Sequence, residues 1–157
     1  MIDTPAIVET IAQPTAVIRF TVPRAQIGAA MSAGVGELLA IVKAQGIGPI
    51  GPVFALHHDV TPDRFDFELG VSVSGSVRAE GRVHASRLPA TRVARTIHHG
   101  SYEGLAAAWA ELDDWMLANG HTQAPGLWER YLIGPASEPD PAKWQTELNH
   151  PVASASR

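Results

Sequence analysis

The sequence predicts an α+β fold made of duplicated β-α-β-β units with pseudo-twofold symmetry, an antiparallel sheet backed by two helices, and a ligand cleft between the halves. Three observations predict it. Apolar residues fall at helical spacing in two stretches, strand-like runs flank each stretch, and the order strand–helix–strand–strand occurs twice at a nearly constant offset. At 157 residues, 45% hydrophobic and 18% charged, the chain is about one domain long and apolar enough to bury a core.

Residues 6–22 read as two short strands broken at Gln13-Pro14, the second ending before Pro23. From Arg24 to Gln45, Ile27, Met31, Leu38, Ile41 and Val42 share a helical face, and Gly46 stands where a left-handed cap is expected. Gly28, Gly34 and Gly36 weaken that helix unless they permit close packing. Val53 to His57 is a strand, followed by a turn at Asp59 to Asp63. Phe65, Phe67, Leu69, Val71 and Val73 then alternate with Asp66, Glu68, Gly70 and Ser72, as in a half-buried antiparallel strand. Thr91 to His98 is the next strand. Ser101 is placed to cap a helix whose face carries Leu105, Trp109, Leu112, Trp115 and Met116 and which ends at Gly120. Leu127 to Ile133 is a strand, residues 134–141 are a Pro-rich loop, and Trp144 to Asn149 alternate as the last strand.

The halves align residue by residue. Ile41 with Trp115, Gly46 with Gly120, Phe54 with Trp128 and His57 with Tyr131 all lie 74 apart; Glu68-Leu69 and Glu147-Leu148 lie 79 apart, the loop supplying the difference. The repeats span about 6–75 and 80–152, with a tail at 153–157. Neither unit is large enough to bury both faces of its own sheet and helix.

A net charge of −4 argues against a phosphate-backbone binder, so no nucleic-acid partner is expected. The absence of cysteine excludes disulfides, thiolate metal sites and a cysteine nucleophile. The start lacks a basic, then apolar, signal pattern, and Ser32, Glu37 and glycines interrupt the longest apolar stretch, Ile27 to Val42. A cytoplasmic protein with no membrane partner is therefore expected. His57-His58-Asp59 and His98-His99 are adjacent pairs whose members point to opposite strand faces, so neither metal nor cofactor is expected. No Ser-centred elbow, phosphate loop or dinucleotide fingerprint occurs.

His99-Gly100-Ser101-Tyr102-Glu103-Gly104-Leu105, Trp128-Glu129-Arg130-Tyr131-Leu132, Asp140-Pro141 and Trp144-Gln145-Thr146-Glu147-Leu148 resemble the GyrI-like small-molecule-binding domain, which also serves as the effector-binding domain of AraC-type and MerR-type regulators. Gly51 to Asp59 and Phe65 to Val71 agree more loosely, and the match covers nearly the whole chain. The resemblance implies a cleft for hydrophobic, often cationic, compounds, with aromatic walls and a carboxylate on the late strand, here Glu147. Some free-standing members hydrolyse cyclopropane-bearing toxins with a Trp-x-x-Tyr and a glutamate, which fall here on Trp128, Tyr131 and Glu147. Two departures bear on the cleft's other wall: His57 stands where tyrosine is frequent, and Ser72 lies near a position that often holds proline. No helix-turn-helix is recognisable beside the repeat, so direct DNA regulation is not expected. Hydrolysis stays open against drug sequestration or a gyrase-inhibitor-like interaction, and haem binding is a remoter alternative.

Glu147 is the first candidate. Its alternation alone reads as a solvated polar face; the matching Glu68 and the resemblance make it a ligand carboxylate, with Tyr131 as a second catalytic candidate. Trp128 and Tyr131, three apart on a strand, fall on opposite faces unless a bulge re-aims one. Tyr102 either lines the cleft mouth or pins the helix start. Trp109 and Trp115 lie on the buried helix stripe and read as core, Trp109 being the better placed of the two to reach a ligand, and His57, Phe54 and Glu68 are candidates for the wall from the first half. Oligomeric state is not legible.

Overall fold

A computed structural model describes residues 2–60, 63–135 and 137–153. Parts of the expected turn at 59–63 and of the loop at 134–141, and residues 154–157 of the tail, lie outside the described residues. The chain forms two compact units. One is contiguous, residues 11–90; the other is split, residues 1–10 with 91–157.

In the contiguous unit β2 (Gln13–Pro23) leads through one turn of 3-10 helix into α1 (Ile27–Ala44), followed by β3 (Phe54–Val60), β4 (Arg64–Ser72) and β5 (His84–Leu88). β4 pairs antiparallel with both β3 and β2, and β2 pairs with β5 on its other side. Alternation decides the faces. Phe67 and Leu69 are buried on the side that receives α1, where Gly34 lies against Leu69 and Phe20. Phe20 and Phe67 stack with centroids 5.5 Å apart. Leu38 and Val42 continue the buried stripe of α1, and Gly46 closes the helix with φ +68°, the left-handed conformation a glycine adopts without a Cβ clash.

In the split unit β1 (Ala6–Glu9) pairs with β6 (Arg92–His99), β6 with β8 (Gln145–Pro151), and β8 with β7 (Trp128–Ile133), all antiparallel. α2 (Leu105–Ala118) joins β6 to β7. Ala108, Leu112 and Met116 of α2 pack on Ala94 and Leu148, with Trp109 and Trp115 at the margin. Leaving β1 and β5 aside, both units run strand, helix, strand, strand, with the last of these strands paired between the other two.

Three local expectations need correction. The break before the second strand falls at residues 10–12, and Pro14 lies within β2. It is tolerated because the β2–β4 ladder ends at Thr15↔Ser72, and beyond it Pro14 contributes its carbonyl, accepting from the Val73 N–H at 3.0 Å. β5 was not foreseen: its residues are mostly exposed and carry no apolar alternation. Ser101 makes no side-chain cap, because a 3-10 turn at Tyr102–Gly104 precedes α2. By length and composition alone Arg24–Ala44, 21 residues at mean hydropathy 1.5, passes the test for a membrane-crossing helix, a test that a core helix also passes. Its buried residues Gly34, Leu38 and Val42 belong to the core of its own unit.

Candidate functional site

In the split unit the β7–β8 register assigns every candidate to a face, because directly paired residues project to the same side. Glu129 pairs with Leu148 and Tyr131 with Thr146, so they stand on the face that α2 covers. Trp128 pairs with Asn149 and Arg130 with Glu147, on the opposite face. Glu147 and Tyr131, expected to act together, are therefore on opposite sides of one sheet. The register shift between Tyr131 and Ile133 comes after Tyr131 and does not bring them together.

Glu147 is buried and already satisfied. Arg130 Nη1 donates to its two oxygens at 3.1 and 3.4 Å, Asn149 Nδ2 donates to Oε1 at 3.0 Å, and Arg95 Nε lies 3.5 Å away. A carboxylate sharing two guanidinium groups is a poor counter-charge for an incoming cation. Trp128 shares its face and is buried, so it does not form an aromatic wall beside Tyr131.

On the α2 side the sequence candidates do converge, around a residue that was not singled out. Glu129 is only 8% exposed. Its Oε1 accepts from the Tyr131 hydroxyl at 2.8 Å, and its Oε2 accepts from Trp109 Nε1 at 2.7 Å. Both donors are neutral, and among the described residues no lysine, arginine or histidine pairs with it. Tyr102, 37% exposed, lies edge-on to Tyr131 with centroids 5.9 Å apart and against Trp144 at 4.9 Å. Trp144 is anchored by its indole N–H on the Glu138 carbonyl at 2.7 Å. Burial, then the Glu129 charge, pushes the Tyr131 hydroxyl well above its ordinary pKa, and the same causes in the same order raise Tyr102. Tyr131 is thus a protonated donor at neutral pH. The available signal for Glu129 was its spacing: two residues before Tyr131 on a strand puts both on one face.

In the contiguous unit the candidates also divide. Glu68 and Phe54 stand on the face away from α1, with Glu68 bonded to Ser86 Oγ at 2.7 Å and His58 Nε2 at 2.9 Å. Phe54 is fully buried beside Gly70. His57 is on the α1 face, its ring 5.7 Å from Phe65 and 5.6 Å from Phe67. Among the described residues no group of three or more His, Asp or Glu is arranged to hold a metal ion.

A family model described as a GyrI-like small-molecule-binding domain matches residues 3–153. No curated protein sequence matches the chain. The fold is similar to the EcmrR C-terminal domain, with TM-score 0.85 and 26% identity over 97% of this chain and 98% of that one. It matches EcmrR in a DNA complex equally well, but spans only 58% of that chain. SAV2435 bound to tetraphenylphosphonium (TM-score 0.70, 13% identity, 97% and 95% covered) and a hydrolase from Listeria innocua (0.68, 15%, 95% and 91%) share the fold. The EcmrR–DNA complex overturns the expectation that charge excludes nucleic acid. A net charge of −4 describes this chain alone, and a domain of this fold occurs within a longer chain that is bound to DNA.

Proposed function

The chain belongs to the GyrI-like small-molecule-binding family, and on that premise we propose that it binds a lipophilic cation against Glu129, inside the ring of Tyr102, Trp109, Tyr131 and Trp144. The observation that carries this reading is the buried Glu129 carboxylate held by two neutral donors. A buried carboxylate without a cation is costly, and a cation arriving beside it recovers that cost. Each aromatic face adds roughly 0.5–2 kcal/mol of cation–π attraction once desolvated. Tyr102 is the exposed member and forms the entrance. The common element order of the two units supports descent by duplication, with ligand chemistry specialised in the second half.

Titration with tetraphenylphosphonium, followed by tryptophan fluorescence and calorimetry, tests the assignment. Glu129→Gln weakens binding about tenfold or more, since a charge-assisted contact is worth ~1.5–3 kcal/mol. Glu147→Gln leaves it within twofold. The reverse pattern would return the ligand carboxylate to Glu147.

The 2.8 Å Tyr131–Glu129 contact favours hydrolysis as a second reading. Glu129 would take a proton from water, the water oxygen would bond to a carbon of a strained ring, and Tyr131 would protonate the departing carbon as the ring bond opens. Incubation with a cyclopropane-bearing electrophile would then yield a product heavier by one water. Tyr131→Phe would abolish this while retaining dye binding, and unchanged substrate with wild-type protein would reject the reading.

A further inference from the structure

On the face of the split unit away from α2, three neighbouring strands present two rows of side chains. Arg95 of β6 pairs with Asn149 of β8, which pairs with Trp128 of β7; one step along, Ile97 pairs with Glu147 and Glu147 with Arg130. Arg95 Nε donates to Asn149 Oδ1 at 2.6 Å and lies 3.5 Å from Glu147, while Arg130 Nη1 donates to Glu147 at 3.1 Å. Two guanidinium groups therefore share one carboxylate, leaving a local charge of plus one in a chain whose net charge is −4.

The contacts made by the two arginines use only part of their donor sets. Each guanidinium carries five N–H groups, and among the described residues only Arg95 Nε and Arg130 Nη1 are engaged. The two side chains are 32% and 30% exposed, whereas Glu147 beneath their charges is 9% exposed, so the unused donors are the accessible part of the array. Trp128 adds a second observation. It is 2% exposed, and its indole N–H has no acceptor among the described residues, which is uncommon for a buried donor.

We propose that Arg95, Arg130 and Trp128 form a binding site for the carboxylate of a small organic acid. The planar forks of the arginines match a carboxylate in geometry. A monoanion brings the array to neutrality, whereas a phosphate dianion would leave excess negative charge beside buried Glu147. The site is distinct from Glu129 in face and in sign of charge, and does not depend on the cation reading.

Calorimetric titration of the whole chain with benzoate at low ionic strength tests this, with inorganic phosphate as the second arm. The expected result is saturable one-to-one benzoate binding, weaker binding of phosphate, and a loss of about tenfold or more in benzoate affinity in Arg95→Gln. Arg130→Gln strips a partner from buried Glu147, so Arg130→Lys, which keeps the charge and loses the fork, is measured beside it and weakens benzoate at unchanged melting temperature. Absence of saturable benzoate binding by folded wild-type protein, phosphate binding tighter than benzoate, or unchanged affinity in Arg95→Gln would each overturn the proposal.

Discussion

Gly34 and Gly36 lie two residues apart on α1, and the same substitution is expected to act on them with opposite sign. A methyl group at Gly34 would come within 2.8 Å of Leu69 Cδ2 and Phe20 Cζ and 2.9 Å of Phe20 Cε2. Leu69 is fully buried, and Phe20 is stacked on Phe67, so neither has empty space into which to withdraw. Overpacking of this kind costs about 1–3 kcal/mol. The helix propensity of alanine returns about 1 kcal/mol, leaving Gly34→Ala between neutral and ~2 kcal/mol less stable. At Gly36 nothing lies within 4 Å, so only the propensity gain of about 0.5–1 kcal/mol remains. Propensity cancels between the variants, and their difference isolates the packing cost of about 1–3 kcal/mol. For a chain of this size that separates their melting temperatures by several degrees, at about 2–4 °C per kcal/mol. Urea and thermal melts followed by circular dichroism measure it directly. Gly34→Ala as stable as Gly36→Ala would refute the packing argument.

Three further outcomes are expected. Gly134→Ala places a Cβ 2.8 Å from the Tyr102 hydroxyl, so it should displace that ring from Tyr131 and Trp144 and weaken tetraphenylphosphonium several-fold with little change in melting temperature, a split read from calorimetry beside a thermal melt. His150 is held below the ordinary histidine pKa by burial, opposed by Asp113 at 3.1 Å. The unfolded chain therefore protonates it first, and stability should fall as pH drops below about 6.5 and through the lower folded value. His150→Gln should flatten that slope in melts between pH 7.5 and 5.5, and an unchanged slope would assign the effect elsewhere. Leu112→Ala, at the centre of the α2 core, should cost about 2–5 kcal/mol in a urea titration; a cost under 1 kcal/mol would show that the core collapses around the gap.

The elements legible in the sequence are those with a clear local pattern. β4 could be read directly because Phe65, Phe67, Leu69 and Val71 alternate with polar or small residues, although it is not half-buried as expected: Glu68, Gly70 and Ser72 on its other face are buried too. The two helices were legible from spacing, since Leu38 and Val42 or Leu112 and Met116 each recur one turn apart on the buried side. β5 was not, because its strand is held by backbone pairing to β2 rather than by an apolar face. The carboxylate beside the aromatic candidates was not legible for a different reason. Comparing the halves draws attention to positions they share, and it matched Glu147 with Glu68. Glu129 aligns with Ala55, so the isolated carboxylate occurs where the halves differ. Tyr102, Trp109 and Tyr131 were ligand candidates alongside Glu147; in the structure Trp109 and Tyr131 bond Glu129 and Tyr102 lies against Tyr131, an arrangement the strand register sets.

The split unit also has a consequence for the order in which the protein is made. β1 leaves the ribosome before the contiguous unit, yet its partner β6 emerges only after all of it, and the bond from Thr10 to the Thr91 carbonyl spans 81 residues. Residues 11–90 can complete their own sheet and helix while β1 is still without β6. Closing β1 onto β6 is then a long-range step taken late in vectorial synthesis, and the newborn chain carries an open sheet edge until it occurs.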